Sequence, residues 1–120
     1  NVPVYIWRTN QVLITLRAKD FAFVLEESLS HIFQIIHANR LRVSLIQSSA
    51  VTISVCVDNS RFVAKAIEQL QDAYRVTWNE NLSLLTIRGT TPNILKQEQQ
   101  GREILLSQLT RRTAKLVIKD

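Results

Sequence analysis

The stretch Val51-Thr52-Ile53-Ser54-Val55-Cys56-Val57-Asp58 (51–58) decides how the rest of the chain is read. Its apolar residues recur every second position: Val51, Ile53, Val55 and Val57 share one face, and Thr52, Ser54, Cys56 and Asp58 share the other. A period of two is the signature of a strand with one face on a core and one more polar. Upstream, the small polar run Gln47-Ser48-Ser49-Ala50 reads as a turn, and Val43 to Ser48 as the strand before it. Downstream, Asp58-Asn59-Ser60 supplies helix-capping chemistry, and Val63, Ile67 and Leu70, with Ala66 beside them, form a helical stripe. Tyr74, Val76 and Trp78 alternate as another strand, closed by a turn at Asn79-Glu80-Asn81.

Working back from 43, the period is helical from Leu25 to Ala38, with Leu25, Leu29, Ile32, Phe33 and Ile36 on one stripe. Glu26 and Glu27 occupy its first turn, where the helix dipole favours them, and Asn39 is the expected left-handed stop. Gln11 to Arg17 alternates as a strand. Residues 11–78 therefore spell β-α-β-β-α-β, and the predicted fold class is α+β: ferredoxin-like units in tandem, an antiparallel sheet with helices on one face.

The pattern then restarts. Leu82 to Arg88 reads as a strand and Thr91-Pro92 as a helix start with proline at the first helical position. Gly101 ends a short polar helix whose apolar content is Ile94 and Leu95. Arg102 to Leu109 and Thr113 to Lys119 follow as strands joined at Thr110-Arg111-Arg112. The expected division is a lead-in at 1–10, a first unit at 11–80 and an abbreviated second unit at 81–120. A β-α-β-β unit lacks a fourth strand and leaves a sheet edge to be covered, by Val2 to Trp7 or by a neighbouring chain.

The chemistry is mostly excluded by what is missing. Only Gly89 and Gly101 are present, too few for a loop that brings backbone against a phosphate. His31 and His37 lie six apart on one helix, the wrong spacing for shared metal ligation, and Cys56 is alone, which excludes an internal disulfide or thiolate cluster. No nucleophile-elbow motif occurs. No catalytic site, cofactor or metal is therefore expected in this stretch. The net charge of +5, from 15 basic and 10 acidic residues, comes mostly from scattered arginines; only Arg111-Arg112 with Lys115 forms a cluster. Ribonucleoprotein domains share the strand order, but they stack bases on sheet aromatics, and 51–58 holds none. No nucleic-acid or membrane partner is expected, since no apolar run approaches the roughly 20 residues of a bilayer span. The chain opens at Asn1-Val2-Pro3 without a signal pattern, reads as a piece of a longer protein, and its lone cysteine suits a cytoplasmic setting.

Two polar segments meet at one rim of a β-α-β-β sheet: Lys19-Asp20-Phe21-Ala22-Phe23 at a helix entry, and Ser44 to Ser49. Free backbone N–H groups at the first would take a carboxylate, and Asp20 or carbonyls an ammonium, while Ser44, Gln47, Ser48 and Ser49 add hydroxyl and amide groups. A cap at Asp20 and a simple turn at Ser48-Ser49 account for the same residues.

The stretches QVLITLRAKD (11–20), VSLIQSSAVTISVCVD (43–58) and NLSLLTIRG (81–89), continued by EILLSQLTRRTAKLVIKD (103–120), resemble the tandem ACT domains of the aspartate kinase regulatory region. The resemblance rests on order and spacing and covers about 11–89 best. It implies feedback control by lysine or threonine in the aspartate-family (lysine, threonine, methionine) biosynthetic pathway, with the effector held between ACT units of a homodimer formed through its sheets. Carried over by position, it implies effector contacts at Asp20, Phe21, Ala22, Phe23, Ser44, Leu45, Gln47, Ser48 and Ser49. The parent would be an aspartate kinase, a phosphotransferase acting on a carboxyl group with ATP and Mg, whose catalytic domain lies outside this chain. Three departures stand out: Ser44 where lysine-sensitive relatives carry an acid, Ala50 where a Glu follows the Ser-Ser step, and no glycine near the first helix entry. They weigh against lysine and give a dimerisation module without sensing as the alternative; a ferredoxin-like RNA-binding domain is the poorer one.

Overall fold

A computed structural model describes residues 2–19 and 25–120, the side chain of Leu25 excepted. The chain forms β1 (Val4–Ala18), α1 (Leu25–Ala38), β2 (Val43–Ser48), β3 (Thr52–Asp58), α2 (Val63–Gln71), β4 (Tyr74–Arg88), α3 (Pro92–Gln99), β5 (Ile104–Thr110) and β6 (Thr113–Lys119). It divides into a central unit, Val12–Glu80, and a split unit made of Asn1–Gln11 with Asn81–Asp120.

In the central unit the strands are ordered β2-β3-β1-β4, the ferredoxin-like order, with β2 and β3 antiparallel. Val12, Ile14 and Leu16 of β1 and Ile53, Val55 and Val57 of β3 pack against Ile32 and Ile36 of α1 and Val63, Ala66, Ile67 and Leu70 of α2. The alternation in 51–58 thus produces the helix-covered face. Val51, expected on that face, precedes the strand and is 61% exposed, and Phe33 is 42% exposed at the edge of the α1 stripe. The opposite face is also closed: Leu13, Leu45 and Cys56 are buried, so it is less polar in effect than its sequence suggests.

The helix ends differ from expectation in ways the hydrogen bonds explain. Arg40, with φ 57°, takes the left-handed position after α1 rather than Asn39. Leu41 N–H donates to Ile36 O and Arg40 N–H to His37 O, the paired bonds of a Schellman stop. Asn39 is released to bridge the helices: its buried amide donates to Ile35 O at 2.8 Å and to Gln69 Oε1 of α2 at 2.7 Å. Asn39→Ala is expected to cost about 1–2 kcal/mol in a urea melt, because the Ile35 carbonyl and the link to α2 both lose a partner. At α2, Phe62 is the cap residue without a side-chain bond; Ser60 instead closes the preceding turn, its Oγ accepting from Phe62 N–H at 3.3 Å and its carbonyl from Val63 N–H.

The split unit orders its strands β1-β4-β6-β5, with β6 antiparallel to both neighbours. Leu85 and Ile87 of β4 and Leu116 and Ile118 of β6 form its core, with Ile94 and Leu95 of α3 packed on it. Thr91 caps α3, its side chain accepting from Ile94 N–H, and Pro92 follows as expected. Residues 4–10 are not a lead-in. They are the first half of β1, grouped with Asn81–Asp120, and they supply the strand that a β-α-β-β unit lacks.

No turn forms at Asn79-Glu80-Asn81; β4 runs through it unbroken. Asn81 has φ 59° and Asn10 of β1 has φ 54°, each at a boundary between the units. Before Asn81, Tyr74 and Val76 face the central core; after it, Leu85 and Ile87 face the split core. Asparagine tolerates this conformation better than other non-glycine residues. The two strands are internal repeats, WRTNQVLITLR (7–17) and WNENLSLLTIR (78–88), sharing Trp, Asn, Leu, Thr and Arg at equal spacing. Their buried positions, 11–14 with 16 and 82–85 with 87, coincide as well.

Candidate functional site

The polar end of the β2–β3 hairpin is the described part of the expected site. Val43 pairs with Val57 and Leu45 with Cys56, so Ser44 is the extra residue of a bulge. Its hydroxyl donates to Asp58 Oδ1 at 3.5 Å across the pair. Leu45 is buried and belongs to packing; Gln47 is half-buried, and Ser48 and Ser49 are exposed at the strand end. Ser49 N–H and Oγ both donate to Thr52 O, at 2.8 and 3.5 Å, which closes the hairpin. The structure thus places Gln47, Ser48 and Ser49 along one strand end, and Ser44 apart from them beside Asp58. Asp20, Phe21, Ala22 and Phe23 lie outside the described residues.

His31 Nδ1 lies 3.0 Å from the Tyr74 hydroxyl, and Lys19 Nζ donates to Asp72 O at 3.2 Å beyond the end of α2. Among the described residues no group of His, Cys, Asp and Glu is arranged to hold a metal. A cavity of about 480 Å³ lies elsewhere in the central unit, between α2 and Trp78.

The split unit repeats the same local plan. Ile104 pairs with Ile118 and Leu106 with Val117, so Leu105 is the bulge residue matching Ser44. Counting on from the two bulges, Ser48 matches Leu109, and the turn residues Ala50-Val51 match Arg111-Arg112. Here a groove of about 470 Å³ is present, lined by Thr90, Thr91 and Leu95 on one side and Leu109, Arg111 and Arg112 on the other. Thr90 N–H donates to Arg112 O at 2.8 Å, tying the strand-to-helix loop to the hairpin. Sequence reasoning noted the Arg111-Arg112 pair as charge and missed the groove. The signal that would have found it is the hairpin correspondence, which needs the strand register.

No protein-family model matches the sequence, and no curated protein matches it significantly. Solved structures do. A chain assigned as a C-terminal regulatory domain of aspartate kinase from Porphyromonas gingivalis superposes with a TM-score of 0.84 at 14% identity, covering 98% of this chain and 86% of that one. The regulatory subunit of aspartate kinase from Thermus flavus gives 0.72 at 14% identity, with 96% and 86% covered. Aspartokinase III from E. coli, in complex with lysine and aspartate, gives 0.76 at 17% identity. The fold is that of the aspartate kinase regulatory domains. The chain spans 29% of the E. coli enzyme. At these identities the likeness is one of fold.

Proposed function

We propose that the chain is the amino-acid-sensing regulatory region of an aspartate kinase, giving feedback control by lysine or threonine. The observation that carries this reading is the superposition over 98% of the chain onto 86% of an aspartate kinase regulatory domain. The effector would sit at the rim formed by Asp20, Phe21, Ala22 and Phe23 with Ser44, Leu45, Gln47, Ser48 and Ser49. Gln47, Ser48 and Ser49 offer the amide and hydroxyl groups that a zwitterion needs. The working form would be a cytoplasmic homodimer joined through its sheets and attached to a kinase domain. Ser44 already engages Asp58. That arrangement leaves it a poor substitute for the acid of lysine-sensitive relatives and favours threonine over lysine.

A thermal-shift screen of the twenty amino acids tests this. Ligand at 100 times its dissociation constant adds about 2.7 kcal/mol to the folded state, a rise of several degrees for a protein this size. Threonine or lysine is expected to give that rise, and Gln47→Ala to remove it. If none of the twenty moves the transition at about 10 mM, the module dimerises without sensing.

A further inference from the structure

The charge of this protein is unevenly divided. The central unit carries seven basic and seven acidic residues, whereas the split unit carries eight basic residues against three acidic ones, so the whole +5 belongs to the split unit. Three of those cations, Lys96, Arg111 and Arg112, line the 470 Å³ groove, and no carboxylate does. None of the three has an ion-pair partner among the described residues; the carboxylates of Glu98 and Glu103 are engaged by Arg102 and Lys119 instead. Besides the cations and the polar Thr90, Thr91 and Gln99, the lining has apolar surface from Pro92, Leu95 and Leu109, and Leu109 is 60% exposed.

We propose that this groove binds a small organic anion, a carboxylate or phosphate head on an apolar body. Unpaired cations gathered in one concave site focus a field that a single anionic head neutralises, and Pro92, Leu95 and Leu109 remove the body of the ligand from water. The volume falls within the usual range of small-molecule sites. Free lysine, with its extra ammonium, is the wrong charge for it. The corresponding hairpin of the central unit has Ala50 and Val51 in place of the arginines and Ser48 in place of Leu109, so the anion site belongs to the split unit alone. Arg111, a lining residue of the groove, also sits at φ 53°, a conformation natural to glycine.

The strain provides the test. The full chain is titrated with phenyl phosphate, 3-phenylpropionate, inorganic phosphate and L-lysine, following amide NMR shifts. Phenyl phosphate or 3-phenylpropionate is expected to saturate below about 1 mM, and inorganic phosphate and lysine to bind at least tenfold more weakly, which is about 1.4 kcal/mol. The shifts should map to Thr91, Leu95 and Leu109. Whichever aromatic anion binds more tightly tells a phosphate ester from a carboxylate. Arg111→Gly is expected to weaken binding at least tenfold while leaving the melting temperature unchanged or higher, and Lys96→Gln to weaken it without unfolding. Three results would overturn the proposal: no saturation by about 10 mM, equal affinity for inorganic phosphate, or unchanged affinity in both variants. Shifts confined to Gln47–Ser49 on adding amino acids belong to the central unit, so this inference and the sensing role stand or fall separately.

Discussion

Deleting residues 1–10 is expected to unfold Asn81–Asp120 while the helices of the central unit stay protected from hydrogen exchange. The sequence alone reads these residues as a lead-in, with Val2 to Trp7 as one candidate to cover the open edge of the second unit. In the structure, residues 4–10 are the outer strand of the split unit, beside β4. The contact continues to the start of the chain, for a Cβ on Gly89 would stand 3.8 Å from the Pro3 Cα. Removing the strand strips β4 of a row of backbone hydrogen bonds, each contributing roughly 1 kcal/mol net. It also removes Trp7, over whose ring the Arg102 guanidinium lies at 5.1 Å. A fold this small has little stability to lose, so several such bonds decide whether it stays folded. Exchange measured residue by residue separates the outcomes: loss of protection at 84–87 and 114–118 is expected, and retained protection there would make 1–10 a lead-in after all.

Ile53→Ala is expected to cost about 2–5 kcal/mol, and Val51→Ala less than about 0.5 kcal/mol. The sequence pattern treats the two positions alike. Ile53 is fully buried in the central core, where removing three carbons leaves a cavity that the surrounding strands and helices fill only in part. Val51 sits in the hairpin with 61% of its surface in water, so its methyl groups contribute little. Chemical denaturation of the two variants side by side measures the contrast. Equal costs would mean that the hairpin packs against something that the single chain does not supply.

The element order was legible from the pattern of apolar residues. Helix 25–38, strand 43–48 and strand 113–119 have the expected bounds, because each is a stretch in which burial on one face and local preference agree. Two features defeated that reading. The polar Asn79-Glu80-Asn81 looks like a turn between two apolar stretches. The chain instead takes one left-handed residue and continues, since β4 has neighbours on either side of that point that hold it extended. At the start, Val4 to Asn10 is exposed throughout and carries no burial signal; its place is set by hydrogen bonding to another strand. For the candidate sites, the hydroxyl and amide residues at 44–49 were visible as a polar run. That Leu45 turns inward, that Ser44 is a bulge beside Asp58, and that Arg111 and Arg112 close a groove all depend on strand register. What the sequence determined by itself was local: the order of strands and helices and which residues seek a core. Which strand completes which unit, and which charges converge on one groove, only the tertiary structure decided, because pairing between strands distant in sequence is carried by backbone groups that every residue has in common.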